Sequence, residues 1–169
     1  MFVLIAVDTN VLIDHADGDE DVIGALDVIK ERLPEARLIV TPTVLEELGY
    51  LCEHGEPEEA ELAERALSSL LQWGYEPLNI IPAGRGITEQ IGLKLRMRGI
   101  IPDEEENDAF IVAEAALLGC LILLSSDHHL LEAQEHPMFR NILREASVDG
   151  DQLVIATPRK IATQYFRRR

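Results

Sequence analysis

An unbroken apolar run, Phe2–Val7, opens the chain and stops abruptly at Asp8. A run of this kind predicts a strand buried on both faces, as parallel sheets require. Helical spacing follows over Asp21–Leu33, where Val22, Ile23, Leu26, Ile29 and Leu33 recur on one side until Pro34 stops them. Arg37–Val40 predicts a second strand, closed by Thr41-Pro42. Helices are expected over Thr43–Glu53 and Pro57–Trp73, the latter opening on proline and a glutamate-rich first turn. Pro77–Ile81 reads as a short strand or an extended linker, and Ile87–Arg98 as a helix ended by Gly99. The clearest helix is Glu106–Leu118, with Phe110, Ala113, Ala116 and Leu117 on one side and Gly119 as its stop. Leu121–Leu124 and Gln152–Ala156 are further strands, and a basic helix follows Thr157-Pro158 to Arg169. Strands alternating with helices predict an α/β fold with a parallel sheet. No repeat, low-complexity tract or linker interrupts residues 1–169, so one domain is expected.

Composition narrows the class. Apolar residues make up 47% and charged residues 27%, which excludes a disordered chain, a collagen-like repeat and a disulfide scaffold. Cys52 and Cys120 lie in apolar surroundings without metal-ligand spacing and read as reduced, buried thiols. The longest uncharged stretches, Met1–Val7 and Ala115–Ser126, fall short of the roughly 20 apolar residues of a membrane span. The N-terminus lacks the basic region and cleavage site of a signal peptide. A cytoplasmic protein without membrane contact is the expectation.

Charge complicates the picture. Thirty-one acids against fifteen bases give −16, the opposite of the basic footprint of a nucleic-acid binder. The bases are unevenly placed. Arg85, Lys94, Arg96 and Arg98 face only Glu89 in their own stretch, and the last fourteen residues hold five bases and no acid. The excess acid is either a solvated surface or a site that is incomplete without cations.

Position separates these two readings. Three predicted strands end in a polar switch: Val7 to Asp8, Val40 to Thr41-Pro42, and Leu124 to Ser125-Ser126-Asp127. Ligands of open α/β sheets bind outside the carboxyl ends of the strands. Asp8 and Asp127 therefore fall at that edge. Glu46 or Glu47 follows the second strand closely enough to point back at it. Asp108 begins a helix that a short turn at Gly119 returns to the next strand, which brings the helix N-terminus near the same edge. Singly, each acid has an ordinary explanation: a helix N-cap for Asp8 or Asp127, a solvated helix position for Glu46 or Glu47, a favourable dipole for Asp108. Asp103–Glu106 likewise reads as a solvated helix start. Four together, without a neighbouring lysine, repel one another unless cations fill the site. Oxygen-only ligation suits Mg2+ or Mn2+, and such a site can bind a phosphodiester and activate water for in-line attack.

The residues around these acids resemble a known family. Asp8-Thr9-Asn10-Val11-Leu12-Ile13-Asp14 looks like the opening motif of the PIN-domain nucleases. Thr41–Leu48 is similar to their second motif, whose acid directly precedes a leucine, and this selects Glu47 over Glu46. Asn107–Ala115 resembles the third motif, Leu123–Asp127 the fourth, and Val154–Pro158 the last strand with its Thr-Pro exit. The resemblance implies a three-layer α/β/α sandwich around a parallel sheet of about five strands, a usual sheet size. It also implies a metal-dependent ribonuclease in which Asp8, Glu47, Asp108 and Asp127 hold Mg2+ or Mn2+ and hydrolyse RNA phosphodiester bonds. Asn10 and Ser125 would support that metal site. Arg85, Lys94, Arg96, Arg98 and the Arg159–Arg169 tail would guide RNA. Many members are toxins held by a small antitoxin, and homodimers are common among them; both are partners the resemblance implies. The chain departs from the pattern in carrying His128 and His129 where many members have a further acid.

Other readings compete. A PIN-like interaction module that cuts weakly or not at all would account for the acidic surface. Asp127-His128-His129 also matches the short motif of the DHH phosphoesterases, without that family's earlier Asp-x-Asp and separate His motifs. A HAD-type phosphatase would want a second Asp where Asn10 stands.

Overall fold

A computed structural model describes residues 2–166, with side chains described as far as Gln164. Its strands β1 (Val3–Val7), β2 (Ala36–Val40), β3 (Tyr75–Pro77), β4 (Ile122–Leu124) and β5 (Val154–Ala156) form one parallel sheet ordered β3-β2-β1-β4-β5. The uninterrupted apolar runs follow from this arrangement. Ile5–Val7, Leu38–Val40 and Leu123–Leu124 are buried because inner strands of a parallel sheet are covered on both faces.

Helices α1 (Thr9–Asp17) and α2 (Glu20–Arg32) link β1 to β2, and α3 (Pro42–His54) and α4 (Pro57–Ser69) link β2 to β3. The next crossover, α5 (Pro82–Met97) and α6 (Glu106–Leu117), returns past β1 to β4. Short helices α7 (His128–Ala133) and α8 (Phe139–Arg144) lead to β5, and α9 (Pro158–Phe166) follows it. Right-handed crossovers place helices before and after this reversal on opposite faces of the sheet. Accordingly α1 packs with α2, α3 and α4, while α5 packs with α6 and α8; α9, which follows the last strand and is not a crossover helix, returns to pack on α2. The result is the expected three-layer α/β/α sandwich. Among the described residues no helix is long and apolar enough to cross a membrane. Both cysteines are free, Cys120 buried and Cys52 half-buried.

Several elements differ from expectation. Helix α5 begins at Pro82 rather than Ile87, because Gly84 and Gly86 hide the helical pattern of its first turns. Gly84 is there for space: a Cβ would lie 2.6 Å from Cγ2 of Ile80 and 3.0 Å from Cδ2 of Leu117. Strand β3 spans Tyr75–Pro77 and overlaps the anticipated Pro77–Ile81 segment only at Pro77, anchored by the fully buried Tyr75. Helix α4 stops at Ser69, short of Trp73. Helices α7 and α8, of six residues each, are too short for periodicity to reveal.

Candidate metal centre

The pairing of Val7 with Leu124 makes Asp8 and Ser125 leave the sheet side by side, with the Asp8 N–H donating to the Leu124 carbonyl at 2.9 Å. Here the strand order reverses, which is where α/β sheets open a crevice at their carboxyl edge. Asp8 caps α1, its Oδ1 accepting from the Thr9 N–H at 2.7 Å, and Asp127 caps α7 in the same way, from the His129 N–H at 2.7 Å. The ordinary explanation of both residues therefore holds, and it leaves each carboxylate facing the crevice as well.

A polar clasp orients Asp8. Its Oδ2 accepts from the Ser125 hydroxyl at 2.6 Å and from the Asn10 amide at 3.2 Å. Asn10 Oδ1 in turn accepts from the Ser126 N–H at 3.2 Å, and Ser125 Oγ from the Asp127 N–H at 3.0 Å. Asn10 and Ser125 thus tie the ends of β1 and β4 together. Glu47 arrives from α3, held by the Thr9 hydroxyl at 2.7 Å and by the side chain of Asn107. Asp108, in the first turn of α6, contributes a buried Oδ2 that has no hydrogen-bond partner among the described residues.

Asp8, Glu47, Asp108 and Asp127 all line one cavity of about 280 Å³, together with Thr9, Asn10, Asp14 and Glu59. Glu46 is not among its lining residues; it faces an adjoining groove of about 670 Å³ shared with Glu47, Leu51 and Asp108. Among the described residues no Lys, Arg or His lines either space. The charge is consequently hard to hold. Burial first, then Asp8, Asp127 and Glu105, push Asp108 up to about 8. Asp8 is pushed up to about 6, mainly by burial, against the opposing hydrogen bonds from Ser125 and Thr9. Glu47 is also raised by burial, less the relief from Thr9 and Asn107.

Among the described residues no three acidic, His or Cys side chains already close on a common point. The donor set nevertheless fits a hard divalent cation. It offers oxygen alone, lacks an internal counter-charge, and includes an orphaned buried oxygen on Asp108. His128 and His129 pack against each other, ring centroids 3.9 Å apart, and do not line this cavity.

Sequence reasoning missed three supporting residues. Thr9 and Asn107 hold Glu47. Glu114 is buried on α6 and accepts from the Thr43 N–H at 3.3 Å and the Thr43 hydroxyl at 2.8 Å. Because Thr41 makes no side-chain cap, Glu114 supplies the acceptor for the N-terminus of α3, the helix that carries Glu47. A glutamate inside the apolar run Phe110–Ala116 was the available signal.

The basic residues are mostly engaged within the chain. Lys94 pairs with Glu145, and Arg96, with a side chain only 15% exposed, pairs with Asp103 at 3.4 Å and Glu106 at 3.3 Å. Arg85 donates to the Ile80 carbonyl and to Asn79 Oδ1. Arg98 makes no ion pair among the described residues. Of the Arg159–Arg169 tail, Arg159 is exposed, and residues 167–169 lie outside the described residues.

The PIN domain family model matches residues 5–135. Nine solved chains resemble the fold. One is VapBC2 from Rickettsia felis, crystallised bound to a DNA fragment from their promoter. It matches with a TM-score of 0.64 and 14% identity, over 92% of this chain and 98% of that one. At that identity the likeness bears on the fold alone. No curated protein matches the sequence.

Proposed function

This chain belongs to the PIN domain family, and we propose that it is a divalent-metal-dependent ribonuclease whose site is built from Asp8, Glu47, Asp108 and Asp127. The observation that carries the reading is the single cavity these four carboxylates line, with no Lys, Arg or His among its described lining residues. Mg2+ or Mn2+ held by them would neutralise the phosphodiester and lower the pKa of the attacking water. The chain's own groups do the rest. Ser125, Asn10 and the Thr9 N–H leave Asp8 little freedom to rotate, so it presents one fixed carboxylate to the crevice. Thr9 and Asn107 hold Glu47 in the same cavity. Asp108, protonated near neutral pH in the absence of cations, gives up that proton when a counter-charge arrives.

The test is cleavage of mixed single-stranded and structured RNA with Mg2+, with Mn2+ and with EDTA, beside Asp8→Asn and Asp108→Asn. Metal-dependent cutting should fall by about a hundredfold or more in each variant, at least the loss seen when groups behind a metal ligand are removed. Cutting that survives EDTA or both substitutions overturns the assignment.

A second reading rests on the net charge of −16 and on the pairing of Lys94 and Arg96 within the chain. An acidic face of this kind suits a small basic protein, and an antitoxin partner is the form such a protein would take here. Its recovery in a native pull-down would support that role. A chain recovered alone would favour a free-standing nuclease.

A further inference from the structure

The groove of about 670 Å³ beside the carboxylate cavity has acidic walls, Glu46 and Glu104–Glu106, and no Lys or Arg among its lining residues. Among the described residues it offers phosphate no cationic side chain, on which nucleic-acid affinity ordinarily rests, and only Asn107 and Tyr50 as neutral side-chain donors. Stacking of a base on an aromatic ring needs no cation at the ring and contributes about 1–3 kcal/mol per base.

One ring is placed for this. Tyr50 lines the groove, is 64% exposed, and follows Glu47 by three residues on α3, so the two side chains are neighbours on the helix surface. The His54 ring packs against it one turn further on, centroids 4.7 Å apart, and restrains it. Other described aromatics are occupied or misplaced. Phe2 is exposed but precedes β1, at the opposite edge of the sheet, and lies under Arg37. Trp73 and Tyr75 pack with His15.

We propose that Tyr50 is a substrate-binding residue that stacks an unpaired RNA base beside the carboxylate site. The proposal rests on the nuclease reading above. The alternative is that Tyr50 only pairs with His54 to stabilise α3, as neighbours four apart on a helix do.

The test uses short single-stranded oligoribonucleotides carrying 2-aminopurine at successive positions, mixed rapidly with the protein and Mn2+. Wild type and Tyr50→Trp should quench the probe strongly at one position. Tyr50→Leu, which keeps an apolar helix former, should lose that quenching and bind about tenfold more weakly. Where cutting is measured, KM should rise and kcat stay near its wild-type value. Annealing the strand to its complement should abolish the Tyr50-dependent signal. Metal-dependent binding that Asp8→Asn removes, yet Tyr50→Leu leaves at wild-type strength, overturns the stacking role alone. Absence of metal-dependent binding in wild type, or its persistence in Asp8→Asn, overturns the nuclease reading and the stacking role together.

Discussion

Asp108 bears the largest electrostatic burden among the four acids. It is partly buried, it faces Asp8 and Asp127, and its Oδ2 has no donor among the described residues. Its ionisation is therefore harder in the folded protein than in the unfolded chain. In the folded state Asp108 is raised to about 8 and Asp8 to about 6, both from 3.8. For an acid raised in this way, the penalty is full above the folded value and disappears as pH falls toward the unfolded one. Metal-free protein should consequently become more stable as pH drops from above 8 to 6, as followed by chemical denaturation. Saturating Mn2+ should reverse the trend, since the metal binds ionised carboxylates. Asp108→Asn should stabilise the metal-free protein by about 1 kcal/mol, after allowance for the exposure of this group, while removing activity. A variant less stable than wild type without metal would contradict this.

The strands carry the site, and the helices aim it. Strands β1 and β4 are legible in the sequence because an inner parallel strand reads as an apolar run, and each run here ends in a polar switch. Asp8 and Asp127 follow from those switches, whereas Asp108 rests on the short turn at Gly119 and Glu47 is told from Glu46 only by the resemblance of its motif. Other features depend on pairs that no local pattern joins: Thr9 reaches Glu47 across 38 residues, and Thr43 reaches Glu114 across 71. Glu114→Ala would leave the Thr43 N–H and hydroxyl buried without an acceptor. A loss of about 2–3 kcal/mol is expected, together with weaker Mn2+ binding, because α3 positions Glu47; unchanged metal affinity would separate the helix cap from the site. The first turn of α5 is hidden by Gly84, whose absent side chain makes room for Ile80 and Leu117. Gly84→Ala sets a helix-propensity gain of about 1 kcal/mol against overpacking of roughly 1–3 kcal/mol. A net loss near 1 kcal/mol should appear in the melting curve.

At the scale of the whole molecule, the charge of −16 acquires a location. Part of it is surface, but four acids and their neighbours converge where the sheet order reverses, so the fold concentrates negative charge at the one edge where α/β proteins place ligands. Composition could not distinguish that concentration from a solvated surface; only the strand order could. Cations bound there should stabilise the fold by mass action, by about 2.7 kcal/mol at a hundredfold excess over Kd. The most direct test is calorimetric titration of Mn2+ into metal-free protein beside Asp8→Asn, Glu47→Gln, Asp108→Asn and Asp127→Asn. Saturable binding, with affinity lowered at least about tenfold in each variant, is the predicted result. Wild-type affinity in all four variants, or no binding by the unaltered chain, would contradict a carboxylate metal centre at this edge.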